Sequence, residues 1–239
     1  MESHEFVEKL GALAPTRQSL SAMELDEEFL DEYLDSYTLE KKEVSDFHPD
    51  PILNLILNYD VSNFDVGLIR LNSAGEVQET DRYIIFGNLD ADLLGIDKVN
   101  ENIVMLDWES PEFVMDICAK NSGSFLEAIL EVASFNHDMF TNDELGNNQL
   151  AIFNKSKEVS LIAGSEEYLS FYLNTFGYTG EEWTLKPCRP SYSESLPAGR
   201  GNQWILKMKT TAILLWFFVC NVLITTLSKK RFQSYLMGI

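Results

Sequence analysis

Cysteine is scarce in this chain of 239 residues, which contains only three. The three stand in unlike surroundings: Cys118 in an apolar segment, Cys188 in a proline-rich one and Cys220 inside a hydrophobic run. An odd and scattered set of cysteines excludes a disulfide framework and lacks the spacing of a metal site. The cysteine pattern therefore favours a reducing compartment.

Catalytic signatures are also missing. The sequence contains no G-x-S-x-G, no H-E-x-x-H, no C-x-x-C and no phosphate-binding glycine loop. His4, His48 and His137 are isolated from one another, and a lone histidine in a loop is more often solvated than catalytic. The acidic residues could supply a general acid and a general base, but no spacing selects a pair. We therefore expect no enzyme, no cofactor and no metal.

One acidic stretch has some of the features of a calcium-binding loop. Asp90, Asp92 and Glu101 stand at the first, third and twelfth places of such a loop, with Gly95 at the sixth. The fifth place is Leu94, whose side chain has no ligand atom, and the run around it has the composition of a strand. We expect no calcium site there.

Basic residues are few and unevenly placed in a chain with a formal charge of −20. Residues 1–185 hold 37 of the 38 acidic residues and 10 of the 18 basic ones, a formal charge of −27. Such a body repels nucleic acid and anionic membrane surfaces, and it attracts basic proteins. An acidic surface also serves solubility alone, so charge by itself leaves both interpretations open.

The most informative segment runs from residue 83 to residue 135. Three short apolar runs, Ile84–Phe86, Leu93–Ile96 and Ile103–Leu106, are separated by polar turns that contain Gly, Asn and Asp. Runs this short with such boundaries predict the strands of a meander.

Two helices are predicted after these strands. Ser110 and Pro111 have the form of a helix start, and the apolar stripe that follows predicts a helix over residues 111–119. Ser124 and Glu127 have the spacing of a capping box, which predicts a second helix over residues 124–135.

The order of these elements resembles the C-terminal half of the SUKH superfamily, which contains bacterial immunity proteins and Smi/Knr-like regulators. The resemblance rests on two strands that end in Asp97 and Asp107, followed by a short apolar helix and the segment 121–126. It is clearest over residues 66–135. Where the superfamily has a glycine-rich turn before the second strand, residues 87–92 of this chain contain a single glycine.

The resemblance implies an α+β domain over residues 20–180, in which an antiparallel or mixed meander sheet is flanked by helices. An amphipathic helix over residues 23–37 fits this arrangement, because one face is apolar and the other is almost entirely acidic. The function implied is non-enzymatic binding: an immunity protein of the SUKH type that neutralises a cognate, basic bacterial toxin, such as a nuclease. The Smi/Knr-like branch implies an alternative, a membrane-anchored regulatory scaffold of envelope or cell-wall processes.

Five residues are candidates for the partner-binding surface: Asp90, Asp92, Asp107, Trp108 and Glu109. A tryptophan between two acids could anchor a basic partner, with the carboxylates as an electrostatic rim. However, Trp108 alternates with Val104 and Leu106, and this alternation favours a side chain that faces the core. The expected partner is a toxin or another basic protein, and not nucleic acid.

The remaining elements are less sharply defined by the sequence. Residues 1–19 contain an amphipathic helix at 5–13, and residues 165–176 contain another, with Gly177 as its C-cap. Val66–Leu71 predicts a strand, followed by a turn and by a returning strand at Val77. The type of two apolar stretches, 52–57 and 150–156, stays open between helix and strand, and residues 136–148 are predicted to be irregular.

The last part of the chain has a different composition. Residues 186–203 are rich in Pro, Ser and Gly and predict a linker. Residues 210–228 contain no charged residue and, as a helix, would extend about 28 Å, near the hydrocarbon thickness of a bilayer. With its basic flanks, this run predicts a transmembrane helix over residues 208–231. Its candidate membrane-embedded residues are Thr210, Leu214, Trp216, Phe218, Leu223 and Leu227.

Two alternatives to this anchor stay open. The run could be a buried core helix, or it could come from a neighbouring reading frame joined by a frameshift, because Met208 and the residues after it resemble the start of a signal peptide. The N-terminus itself has no basic segment followed by an apolar one. We therefore expect the acidic domain to be cytoplasmic and the chain to be anchored by its C-terminal helix.

Overall fold

An antiparallel sheet of seven strands lies at the centre of the computed structural model, which describes residues 1–20, 26–43 and 46–180. The strands are β1 (Asp65–Val66), β2 (Ile69–Leu71), β3 (Gln78–Glu79), β4 (Tyr83–Leu89), β5 (Asp92–Asp97), β6 (Ile103–Leu106) and β7 (Val114–Ala119). They lie in the order β1-β2-β4-β5-β6-β7, and β3 pairs with the first half of β4. The predicted α+β class and the predicted meander of β4, β5 and β6 are confirmed, and β7 continues this meander.

Helices precede and follow the sheet in the chain. They are α1 (Ser3–Leu13), α2 (Arg17–Leu20), α3 (Glu27–Asp35), α4 (Pro51–Asn58), α5 (Ser122–Thr141), α6 (Asp143–Gly146), α7 (Gln149–Ala163) and α8 (Leu169–Thr175), with a 3₁₀ turn at Glu166–Tyr168. Residues 52–57, for which the sequence allowed either a helix or a strand, are helical. Asp50 accepts hydrogen bonds from two backbone N–H groups of the first turn, and Pro51 follows it. Residues 150–156, for which the sequence also allowed either structure, belong to helix α7.

The main core lies between one face of the sheet and the helices. Strand residues such as Phe86, Leu94 and Met105 are buried together with Phe125 and Ile129 of α5. Alternation along the strands turns a second set of side chains to the other face, where Tyr83, Ile85, Val104 and Leu106 form a separate apolar cluster. The sheet therefore has apolar side chains on both faces, with α5 on the face that carries the main core.

The predicted helix over residues 111–119 is wrong, because these residues form a turn followed by strand β7. Val104 and Met105 of β6 pair with Ile117 and Asp116 of β7, with two register shifts along the ladder. The chain leaves β6 through a tight loop and returns antiparallel to it, so ladder hydrogen bonds and the β-branched residues of this segment outweigh the local helix signal. The spacing of apolar residues in so short a segment fits either structure.

The second predicted helix is confirmed as α5, but its start and its length differ from the prediction. Its N-cap is Asn121, whose side chain accepts a hydrogen bond from the Ser124 N–H at 2.9 Å. The predicted capping box is therefore not the start of the helix. The helix continues to Thr141 and α6 follows at once, so the prediction of irregular structure over residues 136–148 is wrong.

The predicted strand Val66–Leu71 is divided into β1 and β2 by a turn at Gly67 and Leu68, both of which have positive φ. The predicted hairpin between β2 and a strand at Val77 is also wrong. Both β2 and β3 pair with β4, because β4 is long enough to bind β3 along its first half and β2 along its second half. The helices at 5–13 and 165–176 are confirmed in outline, and Gly177 has the positive φ expected after a helix.

Some predictions concern residues outside the described ranges. They are residues 23–25 of the helix 23–37, the linker 186–203 and the transmembrane helix 208–231 with Thr210, Leu214, Trp216, Phe218, Leu223 and Leu227. The rest of the helix 23–37 contains α3, which is shorter than predicted. Among the described residues, no helix combines the length and the apolar character needed to cross a bilayer.

Candidate partner-binding surface

Two strand connections bring the five candidate residues together at one end of the sheet. Asp90 lies in the turn between β4 and β5, and Asp92 begins β5. Because Leu93 pairs with Leu106, Asp92 stands across from Asp107, the first residue after β6. Trp108 and Glu109 follow in the β6–β7 loop. We name these five residues the turn surface.

The β6–β7 loop is closed by its own hydrogen bonds. The Asp107 carboxylate accepts from the backbone N–H groups of Glu109 at 2.8 Å and of Ser110 at 3.0 Å. The Phe113 N–H donates to the Ser110 carbonyl at 2.8 Å, and the Asp107 N–H donates to the Phe113 carbonyl at 3.1 Å. This network fixes the backbone on either side of Trp108, so a partner would meet an ordered loop.

The turn surface concentrates negative charge. Burial raises the pKa of Asp92, and so does the nearby carboxylate of Asp107; a hydrogen bond from the Trp108 backbone lowers it, and Asp90 raises it again. These influences show that three carboxylates lie within electrostatic reach of one another. Among the described residues, none of the four acids of this surface forms an ion pair with a lysine or arginine. The charge is therefore open to a cationic partner.

The expectation that Trp108 faces the core is wrong, since 59% of this residue is exposed. The regular alternation ends with Leu106, where β6 ends. Beyond that point the Asp107 hydrogen bonds turn the chain, and the Trp108 side chain is directed to solvent. An aromatic ring that is exposed beside carboxylates can contact both an apolar group and a cation.

Sequence reasoning missed two exposed apolar residues at the same end of the sheet. Phe113, which lies within the predicted helix over residues 111–119, closes the β6–β7 loop and is 51% exposed. Leu68, which is inside the predicted strand Val66–Leu71, lies in the β1–β2 turn and is 58% exposed. Its carbonyl accepts a hydrogen bond from the Asp90 N–H. Asp107 followed by Ser110 and Pro111 is a turn signal in the sequence, and it could have identified Phe113 as a loop residue.

The partial calcium loop is not assembled in the structure. Asp92 begins β5, whereas Glu101 lies in the turn beyond the other end of this strand, so the two carboxylates cannot meet at one ion. Leu94, at the fifth place, is buried in the core. No group of His, Cys, Asp and Glu side chains in the described part of the chain could hold a metal ion.

Comparison with known proteins finds no matching family model, no matching curated protein and no matching solved structure.

Proposed function

We propose that this chain is a non-enzymatic binding protein of the immunity type, which neutralises a basic bacterial toxin by covering the toxin's functional surface. The observation that carries the proposal is the turn surface, where an exposed tryptophan stands among carboxylates without a cationic partner in the described residues. Interface hot spots are enriched in tryptophan, and a rim of opposite charge orients the partner.

The charge of the whole domain supports the same partner. A toxin that cleaves nucleic acid needs a basic site to hold phosphates, and a body of charge −27 attracts such a site at long range. Carboxylates placed on that site exclude the substrate by occupying its phosphate contacts. The SUKH resemblance of residues 66–135 and the antiparallel α+β fold also support the proposal, by analogy with the immunity proteins of that superfamily.

The test is capture of partners by the full chain from a lysate of its source cell, at low and at high salt. We expect one basic protein that is released by salt, and we expect the purified chain to inhibit that protein's nuclease activity at equimolar ratio. A captured protein that keeps full activity in the complex would contradict neutralisation. Recovery of envelope proteins instead would favour the regulatory scaffold.

A charge-matched pair of variants locates the site. Asp90→Lys with Glu109→Lys reverses two charges of the turn surface, whereas Asp81→Lys with Glu8→Lys makes the same change at exposed positions elsewhere. Asp81 precedes β4 and therefore lies at the opposite end of that strand from Asp90. We expect the first variant to lose at least about tenfold in affinity and the second to bind nearly as the wild type. Equal losses would show that net charge, and not this surface, determines binding.

A further inference from the structure

The two-residue turn between β1 and β2 requires a positive φ at residue 68, but it does not require a leucine there. The φ of Leu68, 67°, lies in the left-handed region, which is unfavourable for a bulky side chain, and the Leu68 side chain is 58% exposed. Glycine or asparagine would form the same turn at lower cost. Asp90 and Glu101 also have positive φ, but both are polar turn residues. Among the described residues other than glycine, Leu68 is therefore the one that combines a positive φ with an exposed apolar side chain.

The β1–β2 turn connects the turn surface to helix α5. On one side the Leu68 carbonyl accepts a hydrogen bond from Asp90, at 3.1 Å. On the other side Gly67 packs against α5, since a side chain at Gly67 would meet Asn136 at 2.8 Å. Phe140 lies four residues after Asn136, on the same face of the helix and about 6 Å further along it. The β1–β2 turn, which contains Leu68, therefore lies between the turn surface and the C-terminal half of α5.

A second apolar cluster, in which Phe29 is exposed and Tyr33 and Phe140 are half-buried, occupies that end of α5. Phe29 and Tyr33 of α3 are stacked with ring centroids 6.3 Å apart, and both contact the Phe140 ring, at 6.1 and 5.1 Å. Phe29 is 45% exposed. The outer face of α3 carries acidic residues, two of which, Glu27 and Asp31, pair with Arg17. This aromatic cluster therefore has an apolar centre and an acidic rim that is neutralised in part.

We infer that one continuous contact surface runs from Trp108 across Asp90 and Leu68 to the aromatic cluster of Phe29, Tyr33 and Phe140. Its occupant is the basic protein of the proposed function, on which this inference rests, and charge complementarity supports that choice. Leu68 is the central apolar anchor of the surface. The chain retains a strained leucine there because the partner needs it, at the expense of stability.

The experiment compares full-length wild type with Leu68→Gly and with Leu161→Ala, a matched control that shortens a leucine of α7 with 54% exposure. Thermal unfolding is measured for each protein. Binding is measured with clones selected on the wild type from a phage-displayed library of random 12-residue peptides. We expect L68G to raise the midpoint of unfolding by about 2–4 °C and to weaken the selected clones at least about tenfold. The control should leave both values unchanged.

Each other outcome overturns part of the inference. A lower unfolding midpoint for L68G would show that Leu68 serves the fold. Clones that bind L68G as well as wild type, or a selection that yields no specific clone, would exclude Leu68 as an anchor. Some clones could fail to bind the variant with Asp90→Lys and Glu109→Lys but still bind L68G and Phe29→Ala. That result would support the turn surface as a binding site and contradict its extension to Leu68 and the aromatic cluster. Failure to capture a toxin would contradict the proposed function without changing these results.

Discussion

At the scale of single residues, Gly87 is the position where the sheet has least room. It lies in β4 opposite Leu71, next to a register shift, and a β-carbon added there would come closer than 3.0 Å to the Arg70 carbonyl oxygen. That neighbour is backbone and belongs to a paired strand, so it cannot move without disturbing the ladder between β2 and β4.

We therefore expect Gly87→Ala to lower the free energy of unfolding by about 1–3 kcal/mol. Gly75→Ala is the control, because a β-carbon at Gly75 has no atom within 4 Å. Urea denaturation followed by circular dichroism measures both. Equal stability of the two variants would show that β2 shifts freely along β4.

Asp116 is a second residue whose environment sets a measurable property. It lies on β7, where burial raises the pKa of its carboxyl from 3.8 to about 6, against the hydrogen bonds from Ser170 and from the Ile117 N–H. The folded state thus holds the proton more tightly than the unfolded state does. The stability that comes from this group is fully present below pH 4 and is lost as the pH rises through about 6.

Asp116→Asn should remove this dependence, because the amide stays neutral at every pH. We expect the variant to be more stable than wild type at pH 7 by about 1–3 kcal/mol and to gain nothing at pH 4. Urea denaturation of both proteins from pH 4 to pH 7 gives the difference in their free energy of unfolding. The titration of other groups cancels in this difference because both proteins share those groups. A constant difference over that range would contradict the raised pKa.

At the scale of elements, the sequence and the structure give different residues as the N-cap of α5. The sequence suggests a capping box at Ser124, whereas in the structure the Asn121 side chain accepts the hydrogen bond from the Ser124 N–H. We expect Asn121→Ala to lower stability by about 1 kcal/mol, because an orphan N–H of the first turn loses its partner. Ser124→Ala should lower stability clearly less. If thermal unfolding showed the larger loss for Ser124→Ala, the predicted capping box at Ser124 would be the start of the helix after all.

The sequence predicted strands where apolar runs are bounded by turns, and β4, β5 and β6 agree with it. It failed for β7, because a six-residue segment with a proline before it fits a helix and a strand alike, and only the pairing with β6 decides. The five residues of the turn surface were chosen from sequence, and the sheet register brings them together. Leu68 could not be added, because its exposure depends on where a turn interrupts the predicted strand, whereas the turn signal that begins at Asp107 points to the exposure of Phe113.

At the scale of the whole molecule, repulsion between carboxylates opposes folding. Residues 1–185 hold 37 acidic residues and only 10 basic ones, so most carboxylates have no cation to pair with. Salt screens such interactions over about 10 Å at 0.1 M ionic strength. The free chain should therefore become more stable as salt is added, whereas its complex with a basic partner should become weaker.

The prediction is that the unfolding midpoint of the full chain rises by a few degrees between about 0.01 and 0.2 M NaCl. The variant with Asp81→Lys and Glu8→Lys carries less net charge and should show a smaller rise. A midpoint that falls with salt would mean that local ion pairs, such as that of Arg82 with the buried Asp97 at 2.9 Å, outweigh the general repulsion. Because the two expected salt effects have opposite signs, release of a partner at high salt cannot be attributed to unfolding of the chain.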